Sequence, residues 1–178
     1  MSITVIKNAR IVNEGSVTEG DVQIRNGRID VIAPQVDSPA GAREIDARAA
    51  YLMPGMIDDQ VHFREPGFEH KGTIATESKA AIAGGITSYM EMPNCNPLTV
   101  THAALRDKHD RAARVSLANY AFYLGATNDN LDVVKSVDSS LTCGIKVFMG
   151  ASTGNMLVDN PATLEGIFAS TPLLIATH

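Results

Sequence analysis

From Pro54 onward the sequence repeats one pattern, a short apolar run followed by a segment of helical period. Strands are expected at Met56–His62, Thr87–Met92, Leu117–Leu124 and Gly144–Met149, and Pro172–His178 begins a fifth. Helices are expected near Ile74–Ala83, ended by Gly84-Gly85, at Thr101–Ala113, at Leu131–Val137, and at Pro161–Ala169, capped by Asn160. Buried apolar strands alternating with helices imply parallel βαβ units. In such folds the loops at the strand C-termini carry the chemistry.

Before Pro54 the pattern is different. Thr4–Ile6, Ala9–Val12, Asp21–Ile24 and Ile29–Ala33 are short β-rich runs separated by the turn signals Asn13-Glu14-Gly15 and Arg25-Asn26-Gly27. Glu44–Ala47 is a further short strand, and nothing here has helical period. Residues 1–53 therefore read as a small antiparallel sheet, half of a β-sandwich, and residues 54–178 as a separate α/β domain.

Composition narrows the function classes. The chain has 178 residues, 44% hydrophobic and 20% charged, enough for a packed core. No apolar run approaches the roughly 20 residues needed to cross a bilayer. The start, Met1 to Asn8, lacks the basic and apolar regions of an export signal. A net charge of -5 and a pI near 5.5, with no Lys/Arg cluster, argue against nucleic acid or an anionic membrane as partner. Cys95 and Cys143 show no CxxC spacing and are expected as free thiols in a reducing cytoplasm.

The stretch from Pro54 to Gly67 concentrates reactive groups. With period two, Asp58, Gln60, His62 and Arg64 point to one side of a strand end. Each would need a partner to offset desolvation, so the cluster reads as the floor of an active site. Other polar residues also track the strand ends: Glu91 and Asn94 after the second, Lys146 late in the fourth and His178 at the tip of the fifth. All are expected to converge on one face.

Each residue also has a plainer reading. His62 can be a core histidine satisfied by backbone, Lys146 a snorkelling lysine, His178 a chain end and Asn94 a turn residue between prolines. Asp58 is a candidate for orienting neighbouring groups. His102 and His109 lie on a helix rich in Arg, Lys and Asp and read as a solvated face. His70 sits in a loop near the site and fits either reading. Cys95 reads as filling a small space, and Gly150–Asn155 as a cover for substrate or a connection.

Taken in order, Pro54-Gly55-x-Ile57-Asp58-x-x-Val61-His62-Phe63-Arg64-Glu65-Pro66-Gly67, Glu91-Met92-Pro93-Asn94, Gly144-Ile145-Lys146-Val147-Phe148 and Ile175-Ala176-Thr177-His178 resemble dihydroorotase of the amidohydrolase superfamily. The resemblance covers essentially the whole chain. It implies a TIM barrel, preceded by part of a β-sandwich, that reversibly hydrolyses the cyclic amide of dihydroorotate to carbamoyl aspartate in pyrimidine synthesis with one or two zinc ions. By resemblance, His62 and His178 are metal ligands, and Lys146 reacts with carbon dioxide to become a bridging carbamate. Burial favours the neutral amine that this reaction needs. Arg64 resembles the clamp on the substrate carboxylate and Asn94 the second group on it.

Two departures stand out. The family pattern is Asp-x-His-x-His, and its first histidine is Gln60 here, a poorer zinc ligand. Only about five of eight barrel strands are present, against about 250 residues for a complete barrel. The family's further histidine and its proton-transferring aspartate are expected beyond His178, so no catalytic base is assigned within the chain. The expectation is an N-terminal portion of a dihydroorotase, inactive alone and homo-oligomeric when full length. The rivals are a hydantoinase-like or allantoinase-like enzyme, whose substrates lack this carboxylate, and a non-catalytic dihydroorotase-like scaffold subunit, which Gln60 invites.

Overall fold

The computed structural model describes residues 2–151 and 155–178, and the middle of the Gly150–Asn155 loop, expected as a substrate cover or a connection, lies outside the described residues. The chain divides into two compact units at Pro54 and Gly55. No helix among the described residues is long and apolar enough to cross a membrane.

The first unit is a sheet built on strand β1 (Ile3–Asn13), with β2 (Ser16–Arg25), β3 (Arg28–Ala33), β4 (Arg43–Asp46) and β5 (Tyr51–Leu52). Two tight hairpins join the first three. Glu14 and Gly15 have φ of 48° and 74°, and Asn26 and Gly27 have 50° and 76°, so both central residues of each turn are left-handed. That geometry matches the twist of the flanking strands, which explains why the turn signals were readable. The order is β3-β2-β1-β4, with β5 also on β1. Ala9, Ile11 and Val22 form its core, with Ile6, Ile24, Ala47 and Leu52 against them.

Two expectations change here. Thr4–Ile6 and Ala9–Val12 are one strand, whose pairing with β2 shifts between Ile6 and Ala9. Asn8 absorbs the irregularity at φ 55°, and its N–H donates to Asp21 Oδ1 at 2.9 Å. The sheet is mixed and not purely antiparallel, because β4 and β5 both run parallel to β1.

The second unit alternates strand and helix: β6 (Met56–Val61), α1 (Ile74–Ala83), β7 (Ile86–Glu91), α2 (His102–Val115), β8 (Asn119–Gly125), α3 (Leu131–Lys135), β9 (Gly144–Val147), α4 (Pro161–Ser170) and β10 (Ile175–Thr177). The strands lie in the order β10-β9-β8-β7-β6, and every pairing is parallel. This is the partial (β/α) barrel that the alternation predicts. Three helices start on side-chain caps, Thr73, Thr101 and Asn160, each accepting from the first turn. Between strands and helices lie two apolar clusters, one around Ile74, Tyr89, Leu105 and Phe122 and one around Leu124, Ile145, Val147 and Ile167.

Candidate active site

Strand β6 ends at Val61, one residue before His62, and its alternation is broken. Asp58 pairs with Tyr89 and Val61 with Glu91, so three steps along β6 match two along β7. The extra residue is a β-bulge, and bulges re-aim side chains beside active sites. Tyr89 and Glu91 share one face of β7, so Asp58 and Val61 share it too. Val61 packs against the cluster that holds Tyr89 on the helix side. The residues flanking Val61, Gln60 and His62, therefore take the opposite face. The single-face reading of Asp58, Gln60, His62 and Arg64 is thus corrected. Beyond the strand Phe63 is buried, and Arg64 takes a left-handed φ of 73°.

Three expected residues, Arg64, Asn94 and Lys146, act electrostatically on a fourth, His62. Desolvation holds the His62 imidazole below its usual pKa, and the charges of Arg64 and Lys146 push the same way. The Asn94 carboxamide opposes them from against the His62 ring. Asn94 is buried, and its Oδ1 finds no partner of good hydrogen-bond geometry among the described residues. An orphaned acceptor beside an imidazole marks a place where a donor is wanted.

The loops after β6 and β7 are locked together. The Asn96 N–H donates to the Pro66 carbonyl at 2.9 Å. A Cβ on Gly67, at φ +91°, would lie 1.9 Å from the Asn96 carbonyl oxygen, so only glycine permits this approach. Arg64 and Asn94 are thereby carried on loops that brace each other.

Lys146 is 3% exposed, and no carboxylate among the described residues pairs with it. Its Nζ lies 4.9 Å from the centre of the Phe148 ring, and burial holds its pKa below the usual lysine value. His178 reaches the same ring, with centroids 5.8 Å apart. Ala176 of β10 pairs beside Lys146 of β9, so His178, two residues on, lies on the Lys146 face. The His178 N–H donates to the Val147 carbonyl, and its own carbonyl accepts from Met149 at 2.7 Å. Gln60 is exposed and its carboxamide makes no hydrogen bond among the described residues, while its N–H donates to Asp58 Oδ1 at 3.1 Å.

Glu91 does not join this face. It ends β7 on the Tyr89 side, accepts the Phe63 N–H at 3.2 Å, and pairs with Lys108 of α2 at 2.7 Å. On α2, Arg106, Asp107, Asp110 and Arg114 form a solvated face, but His102 and His109 are not part of it. Lys108 is fully buried, His109 donates to the Leu141 carbonyl at 2.8 Å against the Phe122 ring, and His102 donates to the Val133 carbonyl. Sequence reasoning missed Lys108 because a lysine on a charged helix is ordinarily solvated. Only the i, i+3 spacing of Lys108 and Arg111, which meets Glu65 at 3.4 Å, carries a trace of the arrangement. Cys95 fills space as expected, its Sγ against the Pro93 and Pro97 carbonyls and Thr99. His70 is exposed with its ring edge-on to Phe68.

Among the described residues no three His, Cys, Asp or Glu side chains gather as ligands. His62 and His178 are the two imidazoles at the strand ends, and the first is biased to the neutral, ligating form. Lys146 completes the set only as an anion. A buried amine with a lowered pKa and no counter-charge is suited to that conversion, so the residues fit a metal on condition that Lys146 is carbamylated.

Known proteins similar to this chain share one family and carry several activity names. The model of a family described as Dihydro-orotase-like matches residues 49–138. The allantoinase of Solibacter usitatus is 39% identical over 153 residues, which cover 85% of this chain and 33% of that protein. The dihydroorotase of Halobacterium salinarum is 38% identical over 154 residues, 84% of this chain and 36% of that protein. The solved L-hydantoinase (dihydropyrimidinase) from Arthrobacter aurescens is similar with a TM-score of 0.91 at 29% identity, over 100% of this chain and 41% of that one. The chain spans about a third of the length of the curated relatives it matches.

Proposed function

We propose, on the premise that this chain belongs to the dihydroorotase-like family of the amidohydrolase superfamily, that it serves the zinc-dependent, reversible hydrolysis of dihydroorotate to N-carbamoyl-L-aspartate. Among the family's cyclic amides, the choice of substrate is carried by Arg64. Its guanidinium pairs with no carboxylate among the described residues, yet it acts on His62 two positions away. A planar fork of donors at that place suits a bidentate carboxylate, which dihydroorotate has and hydantoin and allantoin lack.

Zinc would be held by His62, His178 and the carbamate of Lys146, where it would supply a Lewis acid that polarises the ring carbonyl and acidifies a water. Lys146 would react as the neutral amine: its lone pair forms the N–C bond while one C=O π pair of carbon dioxide moves onto oxygen, and the N–H proton passes to solvent. The Phe148 ring covers its Nζ and keeps the amine poorly hydrated. Arg64 orients the acidic ring, and Asn94 offers its unpartnered Oδ1 to a donor at the same mouth. Gln60 replaces an imidazole with an amide, which weakens any second metal position. The substrate is a small molecule, with neither nucleic acid nor membrane as partner. The two free cysteines support a reducing cytoplasmic setting.

Calorimetry on the zinc-loaded protein tests the substrate. Carbamoyl aspartate should bind about tenfold or more tighter than hydantoin or allantoin, and Arg64→Met should erase the difference. Equal binding of all three by the unaltered protein would overturn the assignment. Absence of stoichiometric zinc under any loading condition would instead favour the scaffold reading.

A further inference from the structure

We propose that Glu91 is a positioning residue for the candidate site, a buried carboxylate that fixes the strand end presenting His62 and Arg64, with Lys108 fixing the carboxylate in turn. The inference deepens the reading above and rests on it for the identity of the site. The geometry itself stands apart from any metal or substrate.

Glu91 Oε1 accepts the Phe63 N–H at 3.2 Å, and the Arg64 N–H also acts on the carboxylate. These are the two backbone donors directly after His62, where the strand has ended and no ladder can satisfy them. The other oxygen lies 2.7 Å from Lys108 Nζ, an ion-pair contact without hydrogen-bond alignment. That ammonium is held from two further sides, by the Met92 carbonyl at 3.3 Å and by the Phe122 ring at 4.9 Å. The carboxylate is therefore bounded by backbone donors on one side and by a buried ammonium on the other. Arg64 needs such a hold, because its left-handed φ is strained for a residue with a side chain.

A second link of the same kind follows one residue later. Glu65 accepts the Ile74 N–H at the start of α1 at 2.8 Å and meets Arg111 at 3.4 Å. Lys108 and Arg111 are three apart on one face of α2, so one helix grips the loop on both sides of Arg64. A buried ion pair is a poor device for stability alone, since apolar residues of like volume often do as well. Its value here is an acceptor held in one place for the two amides that set the direction of His62 and Arg64.

Two double variants of the 178-residue chain separate positioning from bulk stability. Glu91→Gln with Lys108→Met keeps an acceptor and removes both charges. Glu91→Leu with Lys108→Met keeps the volume and removes the acceptor. Amide hydrogen exchange of Phe63 and Arg64 is read against Tyr89 and Phe122 as references. In the Leu/Met chain, protection at Phe63 and Arg64 should fall about tenfold or more while the references hold. The Gln/Met chain should keep protection at all four. Unchanged protection in the Leu/Met chain, or an equal fall at all four amides, would overturn the proposal. If the Leu/Met chain does not fold, Glu91→Asp asks the same question, because a carboxylate one methylene shorter pairs with Lys108 but withdraws from the amides. Zinc alone, titrated by chelator competition, is the second probe. Affinity should drop about tenfold in the Leu/Met chain and be retained in the Gln/Met chain. Zinc binding that is equal in all three chains overturns the positioning role. If the unaltered chain takes no zinc, the metal-site reading fails, and hydrogen exchange alone decides the proposal.

Discussion

The carboxylate of Glu91 and the ammonium of Lys108 meet at 2.7 Å with both side chains 1% exposed. They join the end of β7 to the middle of α2, behind the strand face that carries the candidate site. Two opposite charges are thereby committed to the interior, each dependent on the other.

Removing one of them exposes that dependence. Lys108→Met should destabilise the chain by about 3–5 kcal/mol at neutral pH, because an uncompensated carboxylate stays buried. Burial already holds Glu91 above its usual pKa, so its folded value exceeds its unfolded one. Such a group favours the folded state below the unfolded pKa and loses that contribution as pH rises through the folded pKa. The penalty of Lys108→Met should therefore shrink as pH falls toward about 4.5, which urea unfolding at two pH values checks.

Asp21 titrates in the opposite sense. The Lys7 hydrogen bond at 2.8 Å, with the Val36 and Asn8 N–H groups behind it, holds its carboxyl down at about 2 from 3.8. A depressed folded pKa contributes stability above the unfolded value, lost as pH falls through the folded one. The first unit should weaken between pH 3.8 and about 2. Asp21→Asn should flatten that acid limb, as followed by circular dichroism.

Thr73 and Thr76 form a reciprocal cap on α1. Each hydroxyl accepts the other residue's N–H, at 3.1 Å and 3.0 Å. Thr73→Ala should cost about 1 kcal/mol in urea unfolding. Thr73→Ser should cost much less, because it keeps the acceptor.

Gly67→Ala should separate the braced loops. Left-handed strain of about 1–3 kcal/mol adds to the overlap with the Asn96 carbonyl. The unfolding midpoint should fall, and exchange of the Asn96 amide should quicken by more than that of β-strand amides.

Lys146 supplies a chemical test. Bicarbonate should raise the zinc affinity of the unaltered chain and leave that of Lys146→Ala unchanged, as measured by chelator competition. A bicarbonate effect in Lys146→Ala would place the carbamate elsewhere.

What the sequence determined by itself was local or periodic. Asn26-Gly27 announces a hairpin because only left-handed residues make that turn, and Asn160-Pro161 announces a helix start because one side chain caps it. The alternation after Pro54 dictates parallel strands, so His62, Asn94, Lys146 and His178 are legible from the sequence as residues of the strand ends, although the same reasoning put Glu91 on their face, which the fold does not. What only the tertiary structure decided depended on a partner remote in the chain. The bulge that removes Asp58 from the His62 face exists because β6 must register against β7. Lys108 leaves the solvent because Glu91, 17 positions away by their numbers, waits beneath α2, and His109 because the Leu141 carbonyl and the Phe122 ring receive it. A charge reads as exposed until its counter-charge is located, and locating it requires the fold.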